Sequence, residues 1–428
     1  MRRTRRIAPS PGDLAAPRYS SGTPVAPAAR QIQYWSNNTN GEDKFGSDAP
    51  LIRLLIADTG QDGQDWQDTV AQLVERADPE SGEHLVAVAG LGLSTEATQK
   101  TVNALAEQGI SMVASVITAT GLTAHGLVRV APTNSDEAAA MIEYLKRTPE
   151  WLAASATVPY TAYLIQDRAT DNIFVQDLGA QYRQAFPNDG VHMLLDAQGD
   201  FNSQREAAGN ALAGQIATIC SIRPKVIFFA GRSAGLRTLL DALSARYCTD
   251  ARITVVSGDG VTNLNDPTDT GSLWVDGSAN LDVFYTALAS PQIWQDYPAA
   301  VSRDTAARFG QCPNCFAALF SGSLNDGDVI MSHDAVLTAI TAAREAASQQ
   351  SPRPTADALI NGLFQITATN PVPGASGWIY FQRAAGIPDG VPYNKAMPIM
   401  RLHPDGTADL VALSSRSGTP PAGPEVPQ

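Results

Sequence analysis

At 428 residues the chain is longer than one ordinary hydrophobic core supports, so two structural units are expected. Apolar residues make up 44% and charged residues 17%, the composition of a globular protein, and no uncharged apolar stretch is long enough to span a membrane. The formal charge of -13 argues against nucleic acid or an anionic membrane surface as partner, because polyanions are held by positive surfaces.

The amino terminus, MRRTRRIAPSPGDLAAP, is basic, but no apolar run follows, so as written it is neither an export signal nor an anchor. A disordered tail is expected over residues 1–25, and another over 417–428, SGTPPAGPEVPQ. Between them strand and helix patterns alternate. LIRLLIAD (51–58) has the pattern of a short buried strand, and the helix after it sets Trp66, Val70, Leu73 and Val74 on one face. LVAVAG (85–90) is a second strand, followed by a helix carrying Val102, Leu105 and Ala106; SMVAS (111–115) and LVRVA (127–131) are further strands. Ala138, Met141, Ile142 and Leu145 then recur at helical spacing. A second series starts with TAYLIQD (161–167), the helix of Val175, Leu178 and Tyr182, then VHMLLDA (191–197) and KVIFFAG (225–231). The helix of Leu236, Leu239, Leu240 and Leu243 and the strand RITVVSG (252–258) complete it. Later, SHDAVLTAITAAREA is expected to be a helix, with WIYFQR (378–383) and PIMRLHP (398–404) as strands. Strands apolar on both faces with helices between them predict an α/β fold of two lobes, each a parallel sheet covered by helices on both faces.

In open parallel sheets ligands bind beyond the carboxyl ends of the strands. That rule selects the loops Gly90–Thr95, Ser115–Thr120, Asp167–Asn172, Gly231–Gly235 and Ser257–Asn263. In VAGLGLSTEATQ (88–99), Ser94 or Thr95 can cap a helix whose first N–H groups suit a carboxylate; a plain packing cap explains the same residues. Glu96, in that first turn, would compete with an anionic ligand. The turn is not a nucleotide loop: no Gly-Lys-Ser/Thr completes it, and GLGLST lacks the third glycine of the dinucleotide pattern. Asp259 sits between glycines at a strand end, where it can receive an ammonium or hydroxyl group or simply form an Asp-Gly turn.

No GxSxG elbow and no H-E-x-x-H occurs, and no histidine or lysine stands in these loops to work with Asp167, Asp171 or Asp259, so binding rather than catalysis is expected. The four cysteines are Cys220, Cys248, Cys312 and Cys315. Cys312-Pro-Asn-Cys315 can be half a zinc site, a redox pair or a tight disulfide, yet no second CxxC or histidine pair supplies further ligands. Cys220 and Cys248 flank one strand–helix unit and can be bridged. No metal and no cofactor is expected.

The order of these segments resembles the type I periplasmic solute-binding proteins, nearest to the branched-chain amino-acid (leucine/isoleucine/valine) group of ABC-transporter binding proteins. Gly90–Thr95, Gly109–Ser115, Thr118–Thr120 and Arg129–Asp136 match the family's Gly-rich turn, its "gi-p-is" strand, its "S/A-T" turn and its "RtaPsD" strand exit. AYLIQDRATDNIFVQDLGAQYRQAF, GDFNSQ, KVIFFAG, SGDGVTN, HDAV and SGWIYFQ follow in the family's order, over roughly residues 50–410. The resemblance implies lobes of residues 26–133 with 278–374 and 134–277 with 375–416, joined by a three-segment hinge near Pro132–Asp136, Val275–Ala279 and Pro373–Gly377. It implies that Ser94, Thr95, Thr118 and Ala119 hold a ligand carboxylate and that Asp259 holds its ammonium. Asp171-Asn172 and Arg232-Ser233 stand where the family usually has aromatics, which implies a more polar pocket; Arg232 either meets a second carboxylate or is a surface arginine. The family's opening strand, with its "iGv--p-tG" turn, has no counterpart in residues 1–25. Extracytoplasmic capture of an amino-acid-like small molecule is implied, with ABC-transporter membrane subunits as protein partner. Ligand sensing for a regulator or kinase on the same scaffold is the alternative.

Overall fold

A computed structural model describes residues 66–77, 85, 87–169, 172–196, 201–202, 208–245, 252–265, 273, 281–289, 327–349, 356–374, 376–381 and 390–416. Both expected tails, the strand expected at 51–58, Asp171 and three of the cysteines, Cys248, Cys312 and Cys315, lie outside them.

Among the described residues the first sheet has three parallel strands in the order β1 (Val88–Gly90), β2 (Met112–Ala114) and β3 (Leu127–Arg129). Successive side chains of a strand point to opposite faces, and the cores show it. Met112, Ala114 and Leu127 pack with Val70 and Leu73 of α1 (Trp66–Ala77) and Val102 and Leu105 of α2 (Glu96–Glu107). Val113 and Val128 point the other way, into a core with Ile330, Met331 and Ala335 of α8 (Gly327–Gln349) and Leu359 and Leu363 of α9 (Ala356–Phe364).

The second sheet has seven strands. The parallel part runs β5 (His192–Asp196), β4 (Tyr160–Gln166), β6 (Val226–Ala230), β7 (Ile253–Ser257), β8 (Leu281–Thr286); β11 (Met397–Leu402) and β12 (Ala408–Ser414) extend it antiparallel. Alternation again divides two cores. Leu164, Phe228 and Val256 face α3 (Asn134–Leu145) and α5 (Ile173–Ala185). Tyr163, Ile165, Phe229 and Val255 face α6 (Ala208–Ile222) and α7 (Ser233–Ala245). The short helix α4 (Pro149–Leu152) contributes Trp151 to the first of these cores, where it stacks on His192 with centroids 4.3 Å apart.

Among the described residues three passages of the chain join the two units. Val130 and Ala131 pack with the three-stranded sheet, whereas Ala138 packs with the seven-stranded one. The other two passages differ from the sequence expectation. Residues 281–286, assigned to the first lobe with 278–374, form β8 of the seven-stranded sheet, and the chain leaves only between Ala287 and Leu288. The charge of Asp282 disguised this strand; its carboxylate is buried and paired with Arg252 and with Arg401, 2.9 Å away. Residues 376–381, assigned to the second lobe, stay with the first: β9 (Val372–Gly374) and β10 (Gly377–Ile379) form a hairpin, and Ile379 and Phe381 join the core of α8. A buried polar network anchors the return. Asp334 accepts from Ser376 N (2.8 Å) and lies 2.9 Å from His333 Nδ1, while Lys395 Nζ donates to Ser376 Oγ at 2.6 Å. Desolvation lowers the Lys395 ammonium to about 8, against the attraction of Asp334.

Candidate functional site

The carboxyl ends of β1, β2, β4, β6 and β7 carry the loops that meet where the two units touch. After β1 the backbone turns through positive φ at Gly90 (115°), Leu91 (71°) and Gly92 (52°). Leu91 adopts a region that costs a branched side chain energy, so this turn is held by its surroundings. It delivers Ser94 against the loop after β2: Ser94 Oγ accepts from both Thr118 N and Ala119 N at 3.1 Å. Thr95 is the N-cap of α2, its hydroxyl accepting from Thr98 N at 3.2 Å. Arg129, which the sequence analysis placed only at a strand exit, is buried and fixes the same loop by donating to the carbonyls of Ile117 (3.3 Å), Ala119 (2.9 Å) and Leu122. Desolvation holds its guanidinium down at about 10.

From the other unit, α5 docks on this turn. Phe174 N donates to Ser94 O (3.2 Å), Asn134 Nδ2 to Phe174 O (3.1 Å), and Thr120 N to Asp177 Oδ2 (2.6 Å). Beside this contact lies a cavity of about 400 Å³ lined by Trp66, Leu93, Thr95, Glu96, Ala97, Lys100, Asn172 and Arg232. Arg232 enters it over the Phe174 ring, 4.4 Å from the centroid, and donates to Asn172 Oδ1 at 3.3 Å. Glu96 is turned to Lys100, 2.7 Å away, and the ammonium keeps its carboxyl below the usual range. Its charge is therefore answered locally rather than set against the helix end.

Asp259 follows β7 and opens a short 3-10 helix, Asp259–Asn265. Its backbone N–H donates to Glu137 Oε2 at 3.0 Å, and Thr286 Oγ1 donates to the same oxygen at 2.6 Å. Glu137 is fully buried in α3 and was not anticipated; a lone glutamate on a helix carries no periodicity signal. Burial pushes the carboxyls of both Glu137 and Asp259 upward; the negative charge of Asp259 adds to the effect on Glu137, and Arg232 opposes the rise at Asp259. Gly260 is needed here, since a Cβ would lie 2.5 Å from the Phe174 ring.

Of the expected ligand-binding residues, Thr95 and Arg232 line the cavity; Asp259 does not line it and is linked to it through the charge of Arg232. Ser94, Thr118 and Ala119 are brought together but are buried and bonded to one another, so they build the wall behind Thr95 and do not line the cavity. A single chain gives no signal for that: a capping hydroxyl and a ligand-binding hydroxyl occupy the same place in the pattern. Among the described residues no group of three or more His, Cys, Asp or Glu could hold a metal ion, and no helix is long and apolar enough to cross a membrane.

No protein-family profile and no curated protein sequence matches the chain. Solved structures do. An ABC-transporter substrate-binding protein of Desulfitobacterium hafniense in complex with Leu superposes with a TM-score of 0.62 at 15% identity, over 90% of this chain and 95% of that one. A substrate-binding protein of an ABC transporter from Aeropyrum pernix gives 0.63 at 14%, over 94% and 93%. An ABC-transporter solute-binding protein from Rhodopseudomonas palustris BisB5, in complex with 3,4-dihydroxy benzoic acid, gives 0.55 at 13%, over 93% of each chain. With its parallel sheets, double helical cover and strand-end cavity, the chain has the α/β fold of the ABC-transporter substrate-binding proteins.

Proposed function

We propose that this protein is an extracytoplasmic solute receptor that captures a small zwitterionic ligand, an amino acid or a close relative, and presents it to ABC-transporter membrane subunits. The observation that carries the reading is the opposition of charges at the strand ends. Arg232 and the first turn of α2 line a cavity of about 400 Å³, a volume suited to a small molecule, and offer positive potential, while Asp259, on which the Arg232 charge acts, offers negative potential behind them. In this reading Arg232 and the free amides at the start of α2 hold the ligand carboxylate, and Asp259 holds its ammonium. Ser94, Thr118 and Ala119 keep the turn rigid.

Two further observations support the reading. Structures of this fold come from ABC transporters and include complexes with Leu and with Isoleucine. Cys220 is disulfide-bonded, which suits an oxidising compartment. Among the described residues nothing in the site pairs a nucleophile with a base, and binding without turnover is proposed. The test is calorimetric titration of the purified, refolded protein with the L-amino acids, together with mass spectrometry of small molecules released on denaturation. Saturable one-to-one binding of a zwitterion is expected. Turnover of the bound compound, or binding only of molecules lacking an amino group, would refute the proposal.

A further inference from the structure

Glu137 and Asp259 come from two elements far apart in sequence and meet directly, Asp259 N donating to Glu137 Oε2 at 3.0 Å, so that each carboxyl acts on the other. Glu137 Oε2 takes Thr286 Oγ1 and Asp259 N. Glu137 Oε1 and Asp259 Oδ1 are buried, and neither has a hydrogen-bond partner among the described residues. Two acceptors cannot satisfy one another, and two adjacent buried carboxylates cannot both be ionised at modest cost. One proton between them meets both demands. The Tyr182 phenol, buried in α5 with no partner for its hydroxyl, faces the same pair. The cation set against the pair is Arg232 at the start of α7; Asp167 after β4 and Asp328 of α8 act on Arg232 from beyond it. Glu137 packs closely on Gly258, where a Cβ would lie 2.9 Å from Glu137 Oε2 and 2.7 Å from Leu178.

We propose that Glu137 and Asp259 form a carboxyl–carboxylate pair carrying one proton and one negative charge, in which the buried Glu137 donates to Asp259 and thereby sets the cation end of the cleft for a single ammonium group. Glu137 is a positioning residue: it fixes the charge and direction of Asp259 without touching the ligand. Between them the pair and Arg232 offer one negative and one positive charge, which matches a monocationic amine bearing one anion better than a dication. The ligand-class half of this inference rests on the receptor reading; the protonation half does not.

Infrared titration of the intact protein tests the second half without any ligand. The wild type should show a neutral carboxylic-acid carbonyl band at neutral pH that Glu137→Gln abolishes. Glu137→Leu removes the donor to Asp259, so the titration of the remaining carboxyl should move upward by at least a factor of roughly ten in proton concentration. Glu137→Gln, whose amide supplies the same donor, should restore the wild-type position. A fully ionised pair at neutral pH, or an unshifted titration in Glu137→Leu, overturns the proposal. In calorimetry with L-amino acids, Glu137→Leu should bind roughly tenfold more weakly at neutral pH, with the acid limb of its pH profile displaced upward, and Glu137→Gln should rescue both. Equal losses in the Leu and Gln variants would show that the charge, not the donor, matters and would overturn the one-proton pair. A neutral-carboxyl band with no amino-acid binding would retain the pair and refute the receptor reading.

Discussion

Asparagine in place of Asp259 should weaken binding and leave stability at least as high. The shape of the side chain is kept and its charge is lost. Holding an ammonium by a charge-assisted hydrogen bond contributes about 1.5–3 kcal/mol, and each 1.4 kcal/mol is tenfold in affinity, so binding should weaken roughly 10- to 150-fold. In the unliganded protein the effect is different. Asp259 Oδ1 receives no donor among the described residues, whereas an amide there can donate to Glu137 Oε1, which also lacks one. That bond takes the place of the proton shared within the pair, about 0.5–1.5 kcal/mol, so the stability of the unliganded protein is at least retained. The assays are calorimetry with the amino acid found to bind and thermal unfolding without it. A Tm at or above the wild-type value together with the affinity loss is expected. Affinity within twofold of wild type, combined with a lower Tm, would show that Asp259 is a structural turn residue and that the reasoning is wrong.

Other variants probe the remaining parts. Arg232→Met keeps much of the packing on Phe174 and removes the charge over the cavity, so binding should drop by roughly tenfold or more, which the same titrations measure. Gly260→Ala forces a Cβ into the Phe174 ring and should lower Tm by an amount corresponding to about 1–3 kcal/mol, with Arg232 displaced and affinity reduced. Asp334→Ala strips the counter-ion from buried Lys395 and the acceptor from Ser376 and His333; denaturant unfolding should show a loss of about 3–5 kcal/mol. The unliganded protein also has a signature in pH. Asp259 and Glu137 hold protons more tightly when folded than when unfolded, so protonation favours the fold. Their contribution to stability falls as pH rises from the ordinary carboxylate range, about 4, through the raised values; Asp259→Asn should flatten that slope in Tm measured against pH.

The sequence by itself determined the elements whose side chains are apolar in a regular period. The strands TAYLIQD, KVIFFAG and RITVVSG appear as β4, β6 and β7 within one residue at each end, because residues buried on both faces leave no doubt about the strand. The loops that carry Thr95, Arg232 and Asp259 were legible for the same reason, since a parallel sheet fixes which strand ends face the ligand. Only the tertiary structure decided what those residues touch. The charge of Asp282 hid β8 until Arg252 and Arg401 were seen to answer it from neighbouring strands. Thr118 and Ala119 offer two backbone donors in the sequence, and the turn through Gly90, Leu91 and Gly92 brings Ser94 in to use both. Glu137 meets Asp259 across 122 residues of chain, and no local pattern encodes a contact of that range. Local periodicity reports burial, which each residue carries in its own chemistry; pairing of charges and hydrogen bonds depends on partners that only folding brings within reach.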